Sequence, residues 1–235
     1  MLITMKGQVP VANRLLAALP RIEYQRIRAD LEPVSLVFGT VLHEAGATIK
    51  YMYFPNEALI SLLTVVERQQ SLEVGMTGQE GMVGIALALG ASVPPVRAMV
   101  QGSGSAMRMK AALFRKAFRQ SLPLQRAVHL YTHTLMAQIA QTAACNRFHV
   151  VEARLAFRIL VTSERACSDH IFLTHKFLSD LLGVRRVGVT EAAYALKQRK
   201  LIDYGRGNIT ITHRCGLEAA SCSCYGIARN HRAKT

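Results

Sequence analysis

The chain is 235 residues long and half apolar, with 29 Lys and Arg against 15 Asp and Glu for a formal charge of +14. This is ample material for a packed core of one large or two smaller domains and excludes a disordered chain, while the positive excess favours an acidic polymer or an anionic membrane surface as partner. The longest weakly charged apolar run, Val83 to Val96, ends at Pro94 and Pro95 short of the ~18 residues a membrane span needs, and Met1 to Pro10 is too weakly apolar for a secretory signal. The sequence therefore predicts a cytoplasmic protein with no membrane partner and with its five cysteines as thiols.

A first helix is predicted from Asn13, a good N-cap, through Leu15, Leu16 and Leu19, and a second from Ile22 to Leu31. The texture then changes to short stretches rich in Val, Ile, Leu, Tyr and Met: Ser35 to Leu42, Ile49 to Phe54, Leu59 to Val66, Leu72 to Met76, Val96 to Gln101 and Ser105 to Met109. Turn residues separate them at fairly regular spacing, the rhythm of an antiparallel sandwich or barrel. Gly102-Ser103-Gly104 reads as a strand connection.

After Lys110 the period becomes helical. Ala111 to Gln120 is one helix, Ser121-Leu122-Pro123 marks a break, and Pro123 suits the first turn of the next. In that long helix Leu124, Val128, Tyr131, Leu135, Gln138, Thr142 and Cys145 recur at steps of three and four and form one seam. Such a seam can pack on its own domain or on a second copy. The homodimer is the reading adopted, because the helix has few other apolar faces to share.

Val150 to Glu164 is predicted as a further helix, followed by a helix-turn-helix over residues 175 to 194. Thr174 can cap its first helix, Leu178 and Leu182 share a face, Gly183 supplies the turn, and Val184, Val189 and Ala192 continue the buried side. Ser179 is small where the two helices must approach. This arrangement turns Arg185, Arg186, Val187, Thr190, Glu191 and Tyr194 outward at the start of the second helix, where they can meet base edges in the major groove. An arginine can pair with guanine O6 and N7, Val187 can lie on a thymine methyl, and Glu191 can accept from a cytosine amino group; Arg186 is the first choice for base reading. The rival reading, a solvated basic helix start, conflicts with the preference of helix N-termini for anions.

A hairpin from Leu201 to Thr212 follows as a wing, with Gly205 and Gly207 permitting a tight turn and Arg206 at its tip. Arg206, Lys197, Arg199, Lys200 and the helix start at Thr174 are candidates for phosphate contacts, which set register without reading sequence. A short helix is expected near Leu217. Residues 128 to 235 hold fifteen Lys and Arg against seven Asp and Glu, so this part is the more basic per residue.

Taken together these residues resemble the Crp/Fnr family of bacterial transcription regulators over nearly the whole chain. The most specific stretch is Gly183-Val184-Arg185-Arg186-Val187-Gly188-Val189-Thr190 with Lys200-Leu201-Ile202 and the wing beyond; Tyr53-Phe54-Pro55-Asn56 and Gly81-Met82-Val83-Gly84 are similar to the family's barrel. The resemblance implies an α+β fold: an N-terminal antiparallel β-barrel of jelly-roll, cyclic-nucleotide-binding-like type over 1–122, a dimerisation helix over 123–147 and a winged helix-turn-helix over 148–235. It implies that Arg186 reads a guanine, and that a homodimer sets two heads about 34 Å apart on near-palindromic double-stranded DNA. RNA polymerase and an unidentified small-molecule effector are the further partners it implies.

Departures from the family matter. Members that bind cyclic AMP carry a glutamate shortly after the glycine matched by Gly84 and an arginine for the cyclic phosphate; here Ile85 stands at the first position and Pro94-Pro95-Val96 near the second, with Arg97 the remaining candidate. Without those groups a buried nucleotide would leave polar atoms unpaired, so cyclic-nucleotide binding is expected to be lost. The iron-sulfur members use N-terminal cysteines, and the first cysteine here is Cys145. Glu191 replaces a second base-reading arginine of some members, so the target sequence does not carry over.

No cofactor, metal or catalytic group is expected. Cys215, Cys222 and Cys224 with His213 and His231 are close in sequence, but Cys222-Ser223-Cys224 lacks the usual two-residue spacing of zinc pairs, and Cys145 and Cys167 read as core residues. His129 and His133 lie four apart on one helix face, where two exposed imidazoles are commoner than a metal site. Two other classes stay open: a small-molecule receptor whose C-terminal part binds a protein, and a cupin-type enzyme, for which residues 34 to 110 offer only His43 as an imidazole ligand.

Overall fold

The computed structural model describes residues 12–65, 71–166 and 168–227; Met1 to Pro10, Cys167 and His231 lie outside the described residues. Helices α1 (Arg14–Ala17) and α2 (Arg21–Arg28) lead in. Asn13 caps α1 by accepting from the Leu16 N–H, and its amide donates to the carbonyls of Pro55 (2.8 Å) and Gly81 (2.9 Å). A side chain so fully bonded can be buried at little cost, and this one has no exposed surface.

Seven strands follow: β1 (Glu32–Leu36), β2 (Val41–His43), β3 (Tyr51–Pro55), β4 (Leu59–Val65), β5 (Ser71–Thr77), β6 (Arg97–Gly102) and β7 (Gly104–Lys110). They form two antiparallel sheets, ordered β1-β7-β3 and β2-β6-β4-β5, around one apolar core. The stretch Ser35 to Leu42 is not one strand. Gly39, at φ +83°, turns the chain so that it leaves the first sheet and enters the second. Strand β4 is apolar on both faces because both are covered: Ile60 and Leu62 face the core between the sheets, while Leu59 and Leu63 pack outward against the C-terminal part of the chain.

Helix α3 (Ala111–Gln120) leads to α4 (Leu122–Phe148), which Ser121 caps by accepting from the Leu124 N–H (3.2 Å). The seam read from the sequence faces inward. Leu124, Val128, Tyr131 and Leu135 belong to the same core as the sheets, and Thr142 lines a cleft between α4 and the next helix. The argument from scarce apolar faces fails because α4 carries a second one, with Leu130 59% and Met136 66% exposed. β5 admits the helix through Gly75, where an added Cβ would stand 3.3 Å from Leu135.

Tyr131 has a second fitted neighbour. Its hydroxyl lies 2.7 Å from Thr77 Oγ1, and a Cβ at Gly81 would fall 2.0 Å from the ring. Gly81→Ala is therefore expected to expel the ring from its site and to lower stability by about 1–3 kcal/mol in urea denaturation; an unchanged midpoint would show that the loop around Gly81 yields freely.

The C-terminal part comprises α5 (Val151–Ala166), β8 (His170–Phe172), α6 (His175–Leu182), α7 (Arg186–Gln198), β9 (Ile202–Gly205), β10 (Asn208–Ile211) and α8 (Arg214–Ala220). Strand β8, not anticipated from the sequence, pairs with β10, so the wing is a three-stranded sheet ordered β8-β10-β9. Its core is continuous with the outer face of β4 and β5 through Leu59, Leu63 and Met76.

Within that apolar junction lies one polar joint. Glu73 on β5 is ion-paired with Arg158 on α5, both almost wholly buried. Ser61 donates to the same carboxylate (2.6 Å), and Gln101 reaches across to Thr162 on α5 (3.2 Å). A second pair, Glu80 and Arg165 at 3.3 Å, ties the loop after β5 to the end of α5.

Candidate nucleic-acid interface

The two helices α6 and α7 are built as the apolar pattern requires. Thr174 accepts from the Phe177 N–H (3.2 Å), Gly183 ends α6 at φ +62°, and the Val184 N–H returns to the Ser179 carbonyl (3.1 Å). Leu178, Leu181, Leu182, Val189, Ala192, Ala193 and Leu196 are buried between the helices and α5. Ser179 is buried as well and bonds back to the Lys176 carbonyl (2.7 Å).

With Val189, Ala192 and Leu196 directed inward, the opposite face of α7 is free. Arg185 and Arg186 stand exposed at its N-terminus, and Val187, Thr190, Glu191 and Tyr194 follow on the outward side, Val187 and Tyr194 each about 60% exposed. Among the described residues neither guanidinium makes an ion pair, in contrast to Arg199, which pairs with Glu152 (2.6 Å). Thr190 is partly committed within the chain: its hydroxyl donates to the Arg186 carbonyl (3.0 Å) and lies 3.1 Å from Nδ1 of His175. The His175 ring stacks flat on Tyr204 of the wing at 4.5 Å between centroids. Burial lowers the imidazole below its ordinary value, which favours the neutral ring. The stack joins α6, α7 and the wing. Its sequence signals, a histidine at a helix start and a tyrosine in a short strand, were too common to single out.

The wing turns on two residues. Gly205 faces Asn208 across the hairpin, so the loop is Arg206-Gly207, with φ of +51° and +86°. Two positive φ values give the twist that suits a hairpin, and Arg206 takes a position usually left to Asn or Gly; Gly205 itself needs no special conformation. The arginine is exposed at the tip. Lys200 is also exposed at positive φ, where α7 ends. Lys197, also read as a phosphate contact, is exposed and bonds Asp203 (2.7 Å) and the Tyr204 carbonyl (3.3 Å). Thr174 sits close by, its methyl 3.3 Å from a Cβ placed at Gly207.

In the N-terminal part, Arg97 is held on the surface by Glu44 (2.7 Å). Gly84 at φ +103° leads into a 3-10 turn, Ile85–Leu87, and a Cβ there would strike the Met52 sulfur at 2.5 Å. The segment packs against Met52 and Ile49, and Ala86 and Leu87 are buried in the apolar core. One group among the described residues has the composition of a metal site: Cys145, His149, Cys222 and Cys224. His213 and the exposed Cys215 are not part of it.

Residues 153–220 match the family model of the Crp-like helix-turn-helix domain. No curated protein matches the sequence. Among solved structures, a protein assigned to the Crp/Fnr regulators of Eubacterium rectale superposes with a TM-score of 0.73 at 14% identity, over 89% of this chain and 98% of its own. The c-di-GMP-responsive global regulator of Xanthomonas campestris gives 0.69 at 14% identity, over 82% and 99%. A Crp/Fnr-family transcriptional regulator of Thermus thermophilus gives 0.68 at 19% identity, over 81% and 98%.

Proposed function

We propose, from the Crp-like helix-turn-helix domain and the fold shared with the Crp/Fnr regulators, that the chain is a DNA-binding transcription regulator of that type, acting in the cytoplasm, without catalysis, as a homodimer on a near-palindromic site. The observation that carries this reading is the exposed, unpaired start of α7, where Arg185, Arg186 and Val187 project together. Glu191 lies one turn further on, where it can meet a base amino group. Arg206 and Lys200 serve the backbone on either side, with the start of α6 at Thr174 completing the phosphate contacts.

The dimer seam is the outward face of α4, in place of the inward one. Leu130, His133, Ala137, Ala140 and Ala144 follow at steps of three and four, with Met136 and Ile139 flanking, and the small residues let two helices approach closely. The N-terminal sheets act as the regulated part, for an effector other than a cyclic nucleotide. Ile85 opens an apolar turn, and Arg97 is already engaged by Glu44. RNA polymerase is the further macromolecular partner proposed, whether the output is activation or repression.

The test is selection of bound sequences from a random DNA pool by the full-length chain, with and without cyclic AMP. A two-fold symmetric motif indifferent to the nucleotide is the expected result, and Ala140→Glu should abolish it while the chain becomes monomeric in sedimentation. A motif that emerges only with cyclic AMP overturns the reading of Ile85 and Arg97. Absence of any motif overturns the DNA-binding reading itself.

A further inference from the structure

The four ligand-bearing side chains noted above come from opposite ends of the C-terminal half. Cys145 lies in the last turn of α4 and His149 is the residue that caps it, four positions on, so both project to one side; the His149 N–H closes the helix on the Cys145 carbonyl (3.1 Å). Cys222 and Cys224, just past α8, arrive at the same place from 77 residues downstream of Cys145. Two of the three thiols are within reach of a different upstream partner: Cys145 Sγ is 3.6 Å from Cys222 Sγ, and Cys224 Sγ is 3.6 Å from His149 Nδ1. All four ligand atoms lie within 4.8 Å of one another.

These separations have the scale of a coordination sphere. A tetrahedral zinc ion, with metal–sulfur bonds of about 2.3 Å and metal–nitrogen bonds of about 2.0 Å, spaces its ligands about 3.8 Å apart for sulfur–sulfur and about 3.5 Å for sulfur–nitrogen. The two separations above match those edges, and small side-chain rotations bring in the rest. We propose that Cys145, His149, Cys222 and Cys224 form a structural Cys3His site for a divalent cation of the zinc class. On binding, the ion displaces the three thiol protons to solvent, gains three sulfur bonds and takes the lone pair of Nδ1, while His149 keeps its proton on Nε2.

The surroundings are those of a thiolate site. The Gln141 amide donates to Cys224 Sγ at 3.0 Å, a contact that steadies a thiolate. Three thiolates around a dication leave one negative charge, and Arg154, buried beside this cluster, bears electrostatically on both Cys145 and Cys222. The same guanidinium donates to the Leu182 carbonyl at the end of α6 and to Asn146. Cys222 is further tied by its N–H to the Ala153 carbonyl (3.4 Å). The ion would thus clamp the tail onto the joint where α4 passes into α5. Buried cysteines can serve as small apolar fillers, but fillers need neither an imidazole at bonding distance nor an amide donor aimed at sulfur.

The metal content of the full-length chain, expressed with zinc supplied and purified under reducing conditions, tests the assignment without reference to DNA. One zinc per chain is expected, retained by Cys215→Ser, whose thiol is exposed, and lost from Cys224→Ser and His149→Ala. Should those variants fold poorly, the unaltered chain stripped of zinc and titrated with Co2+ gives an independent reading: sulfur-to-cobalt charge transfer with the intense visible bands of a tetrahedral centre. Gln141→Met, which removes only the donor to Cys224, should weaken metal affinity about 10- to 100-fold. An unaltered chain that holds less than about a tenth of an equivalent of zinc and gives no such cobalt spectrum overturns the proposal. So does a bound iron centre with inorganic sulfide, or zinc content equal in Cys224→Ser and the unaltered chain.

Discussion

Glu73→Ala is expected to lower the folding stability of the full chain by about 3–5 kcal/mol. The carboxylate is almost wholly buried between β5 and α5, and its removal strands Arg158 in an apolar junction where Nε already has no partner. An uncompensated buried charge is the costly state; the pair itself contributes little net stability, because desolvation offsets most of its attraction. It follows that Glu73→Met combined with Arg158→Met should recover most of the loss, whereas either change alone should not. Urea denaturation of the two single variants and the double variant measures this directly. Independent, additive losses would mean that water reaches the joint and that the two residues are not coupled.

Arg186→Ala is expected to weaken binding to the selected DNA site by about 1–3 kcal/mol, or roughly 5- to 150-fold, while leaving affinity for unrelated DNA nearly unchanged. The guanidinium is exposed at the first turn of α7 and among the described residues is in no ion pair, so it can present two parallel donors to a guanine. Arg206→Ala makes the contrast. Its loss should weaken all sequences alike and reduce the salt dependence of binding by about one unit of slope, as expected for a phosphate contact. Affinity measured on specific and random DNA at two salt concentrations separates the two. Equal losses on both DNAs for Arg186→Ala would remove it from base reading.

The local signals in the sequence were strong where backbone chemistry demanded particular residues. Asn13, Ser121, Thr174 and Gly183 each cap or end a helix where the residue type predicts it. Strand positions followed from alternation and turn residues, except at Gly39, where a change of sheet looks in sequence like a break within one strand. The inward seam of α4 was misread because periodicity tells which residues share a face, not what covers it. Both faces of this helix are apolar, and only the position of β5 decides between them. Glu73 stood in plain view as a lone carboxylate in an apolar strand, but its partner is 85 residues away. The cluster of three cysteines and His149 is hidden for the same reason: Cys222 and Cys224 lie in the tail, while Cys145 and His149 sit at the end of the long helix.

Because the inner face of α4 is covered by its own sheets, the core around that face is closed within a single chain. The association proposed for the outer face is then an equilibrium between folded molecules rather than a step in folding. At protein levels below the dissociation constant of the pair, the amount of dimer rises with the square of the chain's concentration, and promoter occupancy rises with it. A cell could therefore set the response of the target genes through the abundance of the regulator alone, with small changes in its synthesis or degradation amplified at the DNA.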